Sequence, residues 1–346
     1  MNTNFYKSLL PKIDSHAHNS YILTIADGEN LGSKLFLSFD KNNNEFTNLT
    51  YEDSSLEDFW QNIISKIEFS RAPYLDENGI FVESLNPKIQ LIVCGGGHVS
   101  LALSKLSDFM GFELTILEDR AEFGNYQKFP NAKNIIVDSF DNIFKNNSFD
   151  KNACFVIATR GHICDALCLE NVMNLEYCYA GMIGSKRKIA KTKDLMLSKG
   201  FSEEAFDNIK TPIGIPIGGQ TPEEISISIM AEIIQTLNQN PRSYFSEIIK
   251  NSISSEDEKM VLAKIIYKSG SSPRGIGSQM IIKKDGSTID TIGGGLIEFS
   301  AIKEAVNILN TNPYPLRKHY VLNTEEAASL GMWCGGNLDI LFDIIN

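Results

Sequence analysis

Between residues 87 and 240 the chain switches repeatedly between two hydrophobic periods. Residues 89–94 (IQLIVC) form a short, nearly unbroken apolar run that leads straight into Gly95-Gly96-Gly97. Such a run is the mark of a strand covered on both faces. From residue 99 to 110 the apolar positions Leu101, Leu103, Leu106 and Phe109 take helical spacing. Residues 112–117 (FELTIL) predict a second strand, 135–137 a third, 154–158 a fourth and 177–183 a fifth. Strands alternating with amphipathic helices predict an α/β fold with a parallel, doubly wound, Rossmann-like sheet.

The flanks follow another pattern. Residues 1–86 mix short apolar runs with Asn-rich polar stretches, and residues 238–259 read as a polar linker carrying one helical turn or two. Residues 259–346 place short strands between glycine clusters, which predicts a smaller α+β domain. Residues 31–40 (LGSKLFLSFD) can be laid over residues 276–285 (IGSQMIIKKD), with Gly, Ser and Asp identical and apolar positions kept. Two unrelated strands that each follow a Gly-Ser turn would give the same match. A true repeat would make the front segment a shortened copy of the back one.

Composition narrows the function classes. The chain of 346 residues is 42% hydrophobic and 22% charged, which is ordinary for a globular protein of two or three domains. Its formal charge of −11 opposes a phosphodiester backbone, so nucleic acid is not an expected partner. A single nucleotide is compatible with it, because backbone amides and a few cations hold one. No apolar run reaches the length of a membrane span, and residues 1–20 lack the pattern of a secretory signal. The six cysteines, Cys94, Cys154, Cys164, Cys168, Cys178 and Cys334, form no CxxC pair. Free thiols in the cytoplasm are expected.

Several clusters could carry chemistry. Gly95 and Gly97 form a G-x-G turn between a strand and a helix, and Asp119 ends the next strand. That context suits a dinucleotide, with pyrophosphate on the helix N-terminus and ribose on the acid. His98 follows the turn and could cap the helix or touch a phosphate. Arg160 and His162, with Asp165 one helical turn further on, lie just beyond the fourth strand, where ligands of open α/β sheets bind. Such a cluster suits anion binding or proton transfer, or else an ion pair that caps the following helix. Ser185 precedes three cations, Lys186, Arg187 and Lys188, at a helix start. Cations are unfavourable there unless an anion is present. Thr221-Pro222-Glu223-Glu224 is a helix start explained by capping alone.

In the last segment, the loop holding Ser271, Ser272 and Arg274 offers hydroxyls, a guanidinium and exposed amides. Gly294, within Gly293-Gly294-Gly295, and Glu298 make a second close-approach loop. Cys334 sits before two glycines, where a thiol could act as a soft metal ligand, as a sulfur carrier or as a small buried hydrophobe. His16 and His18 form a His-x-His, but the barrel pattern of a metallohydrolase is absent, so a surface loop is expected.

At these residues the chain resembles the XdhC/CoxI family, accessory proteins of xanthine dehydrogenase-type and carbon monoxide dehydrogenase-type molybdenum enzymes. Gly95-Gly96-Gly97-His98, Glu118-Asp119-Arg120, Thr159-Arg160-Gly161-His162 and residues 181–188 (GMIGSKRK) are similar to the motifs of its Rossmann-like domain. Residues 270–274 (GSSPR), 293–298 (GGGLIE) and 334–336 (CGG) are similar to those of its other domain. The second set usually precedes the first in the chain; here it follows, and residues 1–86 lack it. The resemblance implies a chaperone of the molybdenum cofactor, a molybdopterin with a mono- or dinucleotide tail. Such a factor would bind the cofactor, support its sulfuration and deliver it to an apo hydroxylase. It also implies Arg120 among the cofactor contacts, Cys334 near molybdenum, a cysteine desulfurase as sulfur source and a homodimer. The competing reading is an NAD(P)-dependent oxidoreductase that uses Gly95, Gly97 and Asp119 for the cofactor and Arg160 and His162 for substrate.

Overall fold

The computed structural model describes residues 5–13, 19–40, 45–69, 72–85, 89–239, 246–256, 258–270, 274–311, 314–321 and 336–345. Met1–Pro87 and Pro241–Asn346 together form one unit, and Lys88–Asn240 forms the other. Ser271, Ser272 and Cys334, and with them His16 and His18, lie outside the described residues.

The chain opens with helix α1 (Phe5–Ile13), strands β1 (Asn19–Ile25), β2 (Lys34–Asp40) and β3 (Glu45–Tyr51), helix α2 (Glu57–Ile64), and strands β4 (Tyr74–Leu75) and β5 (Ile80–Leu85). All pairings in this sheet are antiparallel, in the order β3-β2-β1-β5-β4. Alternation decides its faces: Tyr21, Leu23 and Leu35 pack with Trp60 and Ile63 of α2, while Ile22 and Phe36 point the other way.

The middle unit holds the predicted parallel sheet. Its strands are β6 (Gln90–Cys94), β7 (Glu113–Glu118), β8 (Asn134–Val137), β9 (Cys154–Ile157) and β10 (Tyr179–Met182), in the order β10-β9-β6-β7-β8. Helices α3 (His98–Phe109), α4 (Phe140–Asn146), α5 (His162–Met173), α6 (Lys186–Ser198), α7 (Glu203–Asp207) and α8 (Pro222–Asn238) cover it. Leu103 of α3 and Ile229 of α8 pack on the face that presents Leu91 and Val93. Helices α4 to α7 cover the face of Ile92 and Phe155. Both faces are dry, which is why these strands read as unbroken apolar runs. The order reverses between β6 and β9, the topological switch point where such sheets open a crevice at the strand carboxyl ends.

The last segment begins with α9 (Glu247–Ser255), inside the stretch that reads as a linker. Strands β11 (Met260–Gly270), β12 (Gln279–Ile282) and β13 (Thr288–Asp290), helix α10 (Gly295–Thr311), and strands β14 (Leu316–Val321) and β15 (Gly336–Ile345) follow. Their sheet runs β13-β12-β11-β15-β14, all antiparallel.

The first and last segments therefore share one plan: a helix, three strands, a helix and two strands, with the same strand order. Their registers coincide as well. Lys34 lies opposite Thr24, and Gln279 opposite Lys264; Glu83 lies opposite Ile22, and Asp343 opposite Leu262. Residues 31–40 and 276–285 thus occupy the same place in the two sheets.

Corresponding faces bury against each other. Ile22, Phe36 and Leu85 share one cluster with Leu262, Ile281 and Ile345, and helices α1 and α9 close it. Two ion pairs cross this contact. Lys34 Nζ lies 2.9 Å from Asp343 Oδ1 and 3.1 Å from Glu52 Oε2, and Lys264 pairs with Glu83. Tyr6 donates its hydroxyl to Asp343 Oδ2 at 2.9 Å. The acids at equivalent positions, Glu83 and Asp343, are each neutralised by a lysine of the opposite copy. Burial pushes the Glu83 carboxyl up even so.

The two copies differ at one end of their sheets. Seven residues separate Ile25 from Ser33, whereas twelve separate Ile265 from Ser278. In the front copy the turn after β4 closes tightly, with Ile80 N donating to Asp76 Oδ1 at 2.6 Å. The corresponding connection from β14 to β15 spans residues 322–335.

Candidate functional site

The turn after β6 approaches its neighbours closely enough to demand glycine twice. A Cβ at Gly95 would lie 2.4 Å from the Ala158 carbonyl oxygen, and Gly95 has φ +108°. A Cβ at Gly96 would lie 2.5 Å from the Phe123 carbonyl oxygen. Gly97 meets no atom within 4 Å of a built Cβ, and its φ of −77° is open to any residue. Its missing side chain serves the open side of the turn, where a ligand would approach the backbone.

The Gly96 peptide is clamped at both ends. Its N–H donates to Glu118 Oε2 at 2.6 Å, and its carbonyl accepts from Lys128 Nζ at 2.5 Å. Burial raises the Glu118 carboxyl above its usual range, with a hydrogen bond to Asp119 adding to the effect. The same bond holds Asp119 below its usual range. Arg120 Nε lies 3.1 Å from Glu118 and 3.3 Å from Asp119, and the guanidinium stacks over Phe123 at 3.9 Å. Asp119 is thus an ionised, exposed acceptor at the lip of the crevice, and Arg120 a cation turned inward on the two acids.

Two helices present uncapped N-termini across the switch point. Both α3 and α5 have glycine at the N-cap, Gly97 and Gly161, and neither receives a side-chain cap bond. Their free amides and dipoles favour an anion between them. His98 at the start of α3, and Arg160 and His162 beside the start of α5, are exposed. The structure therefore brings Gly95, Gly97, His98, Asp119, Arg120, Arg160 and His162 around one crevice.

The acid that follows this motif has another task. Asp165 is fully buried, accepts from the Thr159 N–H at 3.0 Å and hydroxyl at 2.6 Å, and pairs with Lys188. Lys188 also donates to the Ile183 carbonyl at 3.1 Å. Asp165 thereby fixes the loops after β9 and β10 relative to each other. Of the cations that begin α6, Lys188 is taken up by this bond, while Lys186 and Arg187 remain exposed. Ser185 caps the helix by accepting from Lys188 N at 3.4 Å. These three predicted anion contacts, Ser185, Lys186 and Arg187, lie beyond β10, one strand further out than Arg160.

In the other unit, strand pairing gathers the glycine-rich motifs at one sheet end. Gly270 pairs with Gly336 and Val321 with Asn337, so the connections that carry residues 271–274 and 322–335 leave from neighbouring positions. The three glycines 293–295 all have positive φ, between 67° and 126°. Glu298 accepts from Gly294 N at 3.0 Å, from Ile292 N at 3.2 Å and from the Thr291 hydroxyl. Gly294 and Glu298 are therefore engaged with each other and shape the loop. Arg274 is exposed at the same end. No group of three metal-ligating side chains occurs among the described residues.

The clamp of Glu118 and Lys128 on Gly96 is the positioning device that sequence reasoning did not single out, whereas Asp165 and Lys188, read there as part of anion-binding clusters, instead brace two loops against each other. Glu118 adjoins Asp119 and could have been weighed beside it. Lys128 carried no signal, since its target is a backbone carbonyl 32 residues away in the chain.

Comparisons with known proteins follow this division. Residues 91–233 match the XdhC Rossmann domain, and residues 254–320 match the XdhC and CoxI family. The chain is 29% identical over 163 residues to the uncharacterized protein YqeB of Escherichia coli K12, a match covering 47% of this chain and 29% of that protein. It is 28% identical over 187 residues to a Bacillus subtilis protein named as a probable subunit of xanthine dehydrogenase, covering 54% of this chain and 53% of the relative. The matches thus span about half or less of these relatives. A solved structure described as a xanthine dehydrogenase from Bacillus halodurans is similar in fold, with a TM-score of 0.51 and 22% identity, over 70% of this chain and 66% of that one.

Proposed function

The chain belongs to the XdhC and CoxI family, and from that premise we propose that it is an accessory factor for a xanthine dehydrogenase-type molybdenum hydroxylase. Its cargo is the molybdenum cofactor, which it binds, keeps competent for sulfuration and passes to the apo enzyme. The observation that carries this reading is the crevice between β6 and β9. There the uncapped starts of α3 and α5, the open face of Gly97 and the exposed Arg160 and His162 suit the phosphate or nucleotide tail of such a cargo. Asp119, ionised and exposed, is placed to accept from a ribose hydroxyl.

The name of the Bacillus subtilis relative supports a hydroxylase as partner. Ser271, Ser272, Arg274 and Cys334, in the other unit, are separate candidate contacts for the cofactor, Cys334 as a soft thiolate donor. A cysteine desulfurase as sulfur source, self-association as a homodimer and residence in the cytoplasm complete the reading. No helix among the described residues is long and apolar enough to cross a membrane.

The test is direct. Purified protein is mixed anaerobically with molybdenum cofactor, desalted and analysed for metal, with NAD as competitor. Near-stoichiometric molybdenum that NAD does not displace is the expected result. Molybdenum lost on desalting, together with micromolar NAD binding, would overturn the reading in favour of an NAD(P)-dependent oxidoreductase.

A further inference from the structure

Helices α5 and α6 flank a groove of about 870 Å³ that adjoins the crevice at His162. Each contributes a single stripe at intervals of about one helical turn: residues 162, 163, 166, 167 and 170 from α5, and 187, 188, 191, 192 and 195 from α6. The floor is Ala166 and Thr192, small side chains that are almost fully buried. The walls carry Ile163, Leu167 and Leu195, and Ile163 is 84% exposed. An isoleucine that open, facing a leucine across a trough, leaves apolar area for another surface to cover.

The rim is cationic in a chain whose net charge is −11. Arg187, Lys188, Lys191 and Lys199 stand against two carboxylates, Asp141 and Glu170. Lys188 is paired with Asp165 and Lys199 with Glu170. Arg187 and Lys191 make no ion pair among the described residues. Helices of 12 and 13 residues give the trough a length of roughly 18–20 Å, the span of three helical turns.

We propose that this groove is a docking site for an acidic amphipathic helix of a partner protein. The leucine-class side chains of that helix lie on the Ala166–Thr192 floor, and its carboxylates meet Arg187 and Lys191. Small floor, apolar walls and charged rim are the parts of helix-in-groove recognition. Complementary charge selects the partner and speeds encounter. The groove shares His162 with the β6–β9 crevice and Arg187 with the predicted anion contacts, but its test involves no cofactor, so it can fail without the proposed function failing.

The full-length protein is titrated into a fluorescein-labelled, capped peptide of about 12 residues, made of Glu, Ala and Leu with leucines at helical spacing, and anisotropy is followed. Saturable binding that weakens with salt is expected. The double variant Arg187→Glu/Lys191→Glu should bind about ten-fold more weakly. Ile163→Ser should weaken it several-fold, and Lys105→Glu, on α3, should not change it. Far-UV circular dichroism checks that each variant is folded. No saturable binding, equal binding of the peptide with Lys in place of Glu, or an unchanged double variant would overturn the proposal. Displacement by inorganic pyrophosphate at constant ionic strength would also overturn it, by marking a site for small anions.

Discussion

Gly95 and Gly97 stand two residues apart in one turn and answer to different constraints. Gly95 is required by the fold, since its Cβ would enter the Ala158 carbonyl and its φ is positive. Gly95→Ala should cost about 1–3 kcal/mol, read as a lowered thermal midpoint. Gly97 has room for a side chain, and Gly97→Val should cost about 1 kcal/mol at most, the penalty of a poor N-cap for α3. If the crevice takes a phosphate-bearing ligand, that variant should weaken binding ten-fold or more, since the added side chain fills the approach to the turn. Equal affinity in Gly97→Val would refute the placement. The sequence made both glycines visible as one motif and could not separate them. Their difference lies in the Ala158 end of the neighbouring strand, which comes alongside Gly95 and not Gly97, and that contact is non-local.

At the scale of elements, caps were legible because they are local. The sequence Thr221-Pro222-Glu223-Glu224 folds as a capping box: Thr221 accepts from Glu224 N at 3.2 Å, and Glu224 Oε2 accepts from Thr221 N at 3.1 Å. Thr221→Ala should cost about 1 kcal/mol, measurable in thermal melts by far-UV circular dichroism. Hydrogen bonds from the Gln220 and Thr221 amides hold the Glu224 carboxyl below its usual range. Asp285 is held down in the same way by the Ser287 hydroxyl and amide. A depressed folded value means the contribution is present above the unfolded pKa, about 4 for these groups. It is lost as pH falls through the folded value. The thermal midpoint should therefore drop on acidification below about pH 4, and Glu224→Gln should flatten part of that slope. An unaltered slope in the variant would show that the bond does not persist in solution. Helix α9 was less legible, because residues 247–255 lie in a polar stretch and their helix is sealed by packing. Ile249 and Ile253, four apart, reach the cluster built by the two antiparallel sheets.

For the whole molecule, the pairing of first and last segments is the feature with the largest energetic consequence. Lys264 and Glu83 are buried against each other, and removing one leaves the other uncompensated. Lys264→Met should cost about 3–5 kcal/mol, and adding Glu83→Leu should restore much of it. Trp60 is buried in this unit and residues 88–240 contain no tryptophan, so denaturation followed by tryptophan fluorescence reports on it without the Rossmann-like unit. A double variant no more stable than Lys264→Met would contradict the pairing. The sequence hinted at two related segments through ten residues. It could not show that they bury equivalent faces against each other, because a lysine inside a strand reads as solvent-facing until a partner acid is known.

Local pattern was enough to specify the parallel sheet, the glycine turn, the capped helices and the loops at the strand ends. These depend on hydrophobic period, backbone freedom and side chains within a few residues, all of which are written along the chain. Only the tertiary structure decided which polar groups stay available. Glu118, Glu298, Ser185, Asp165 and Lys188 bond to backbone or to each other, whereas Asp119, Arg160 and His162 remain open to solvent. A buried polar group must be satisfied by whatever lies nearest in space. That neighbour can be 22 residues away, as with Gly96 and Glu118, or 309, as with Lys34 and Asp343.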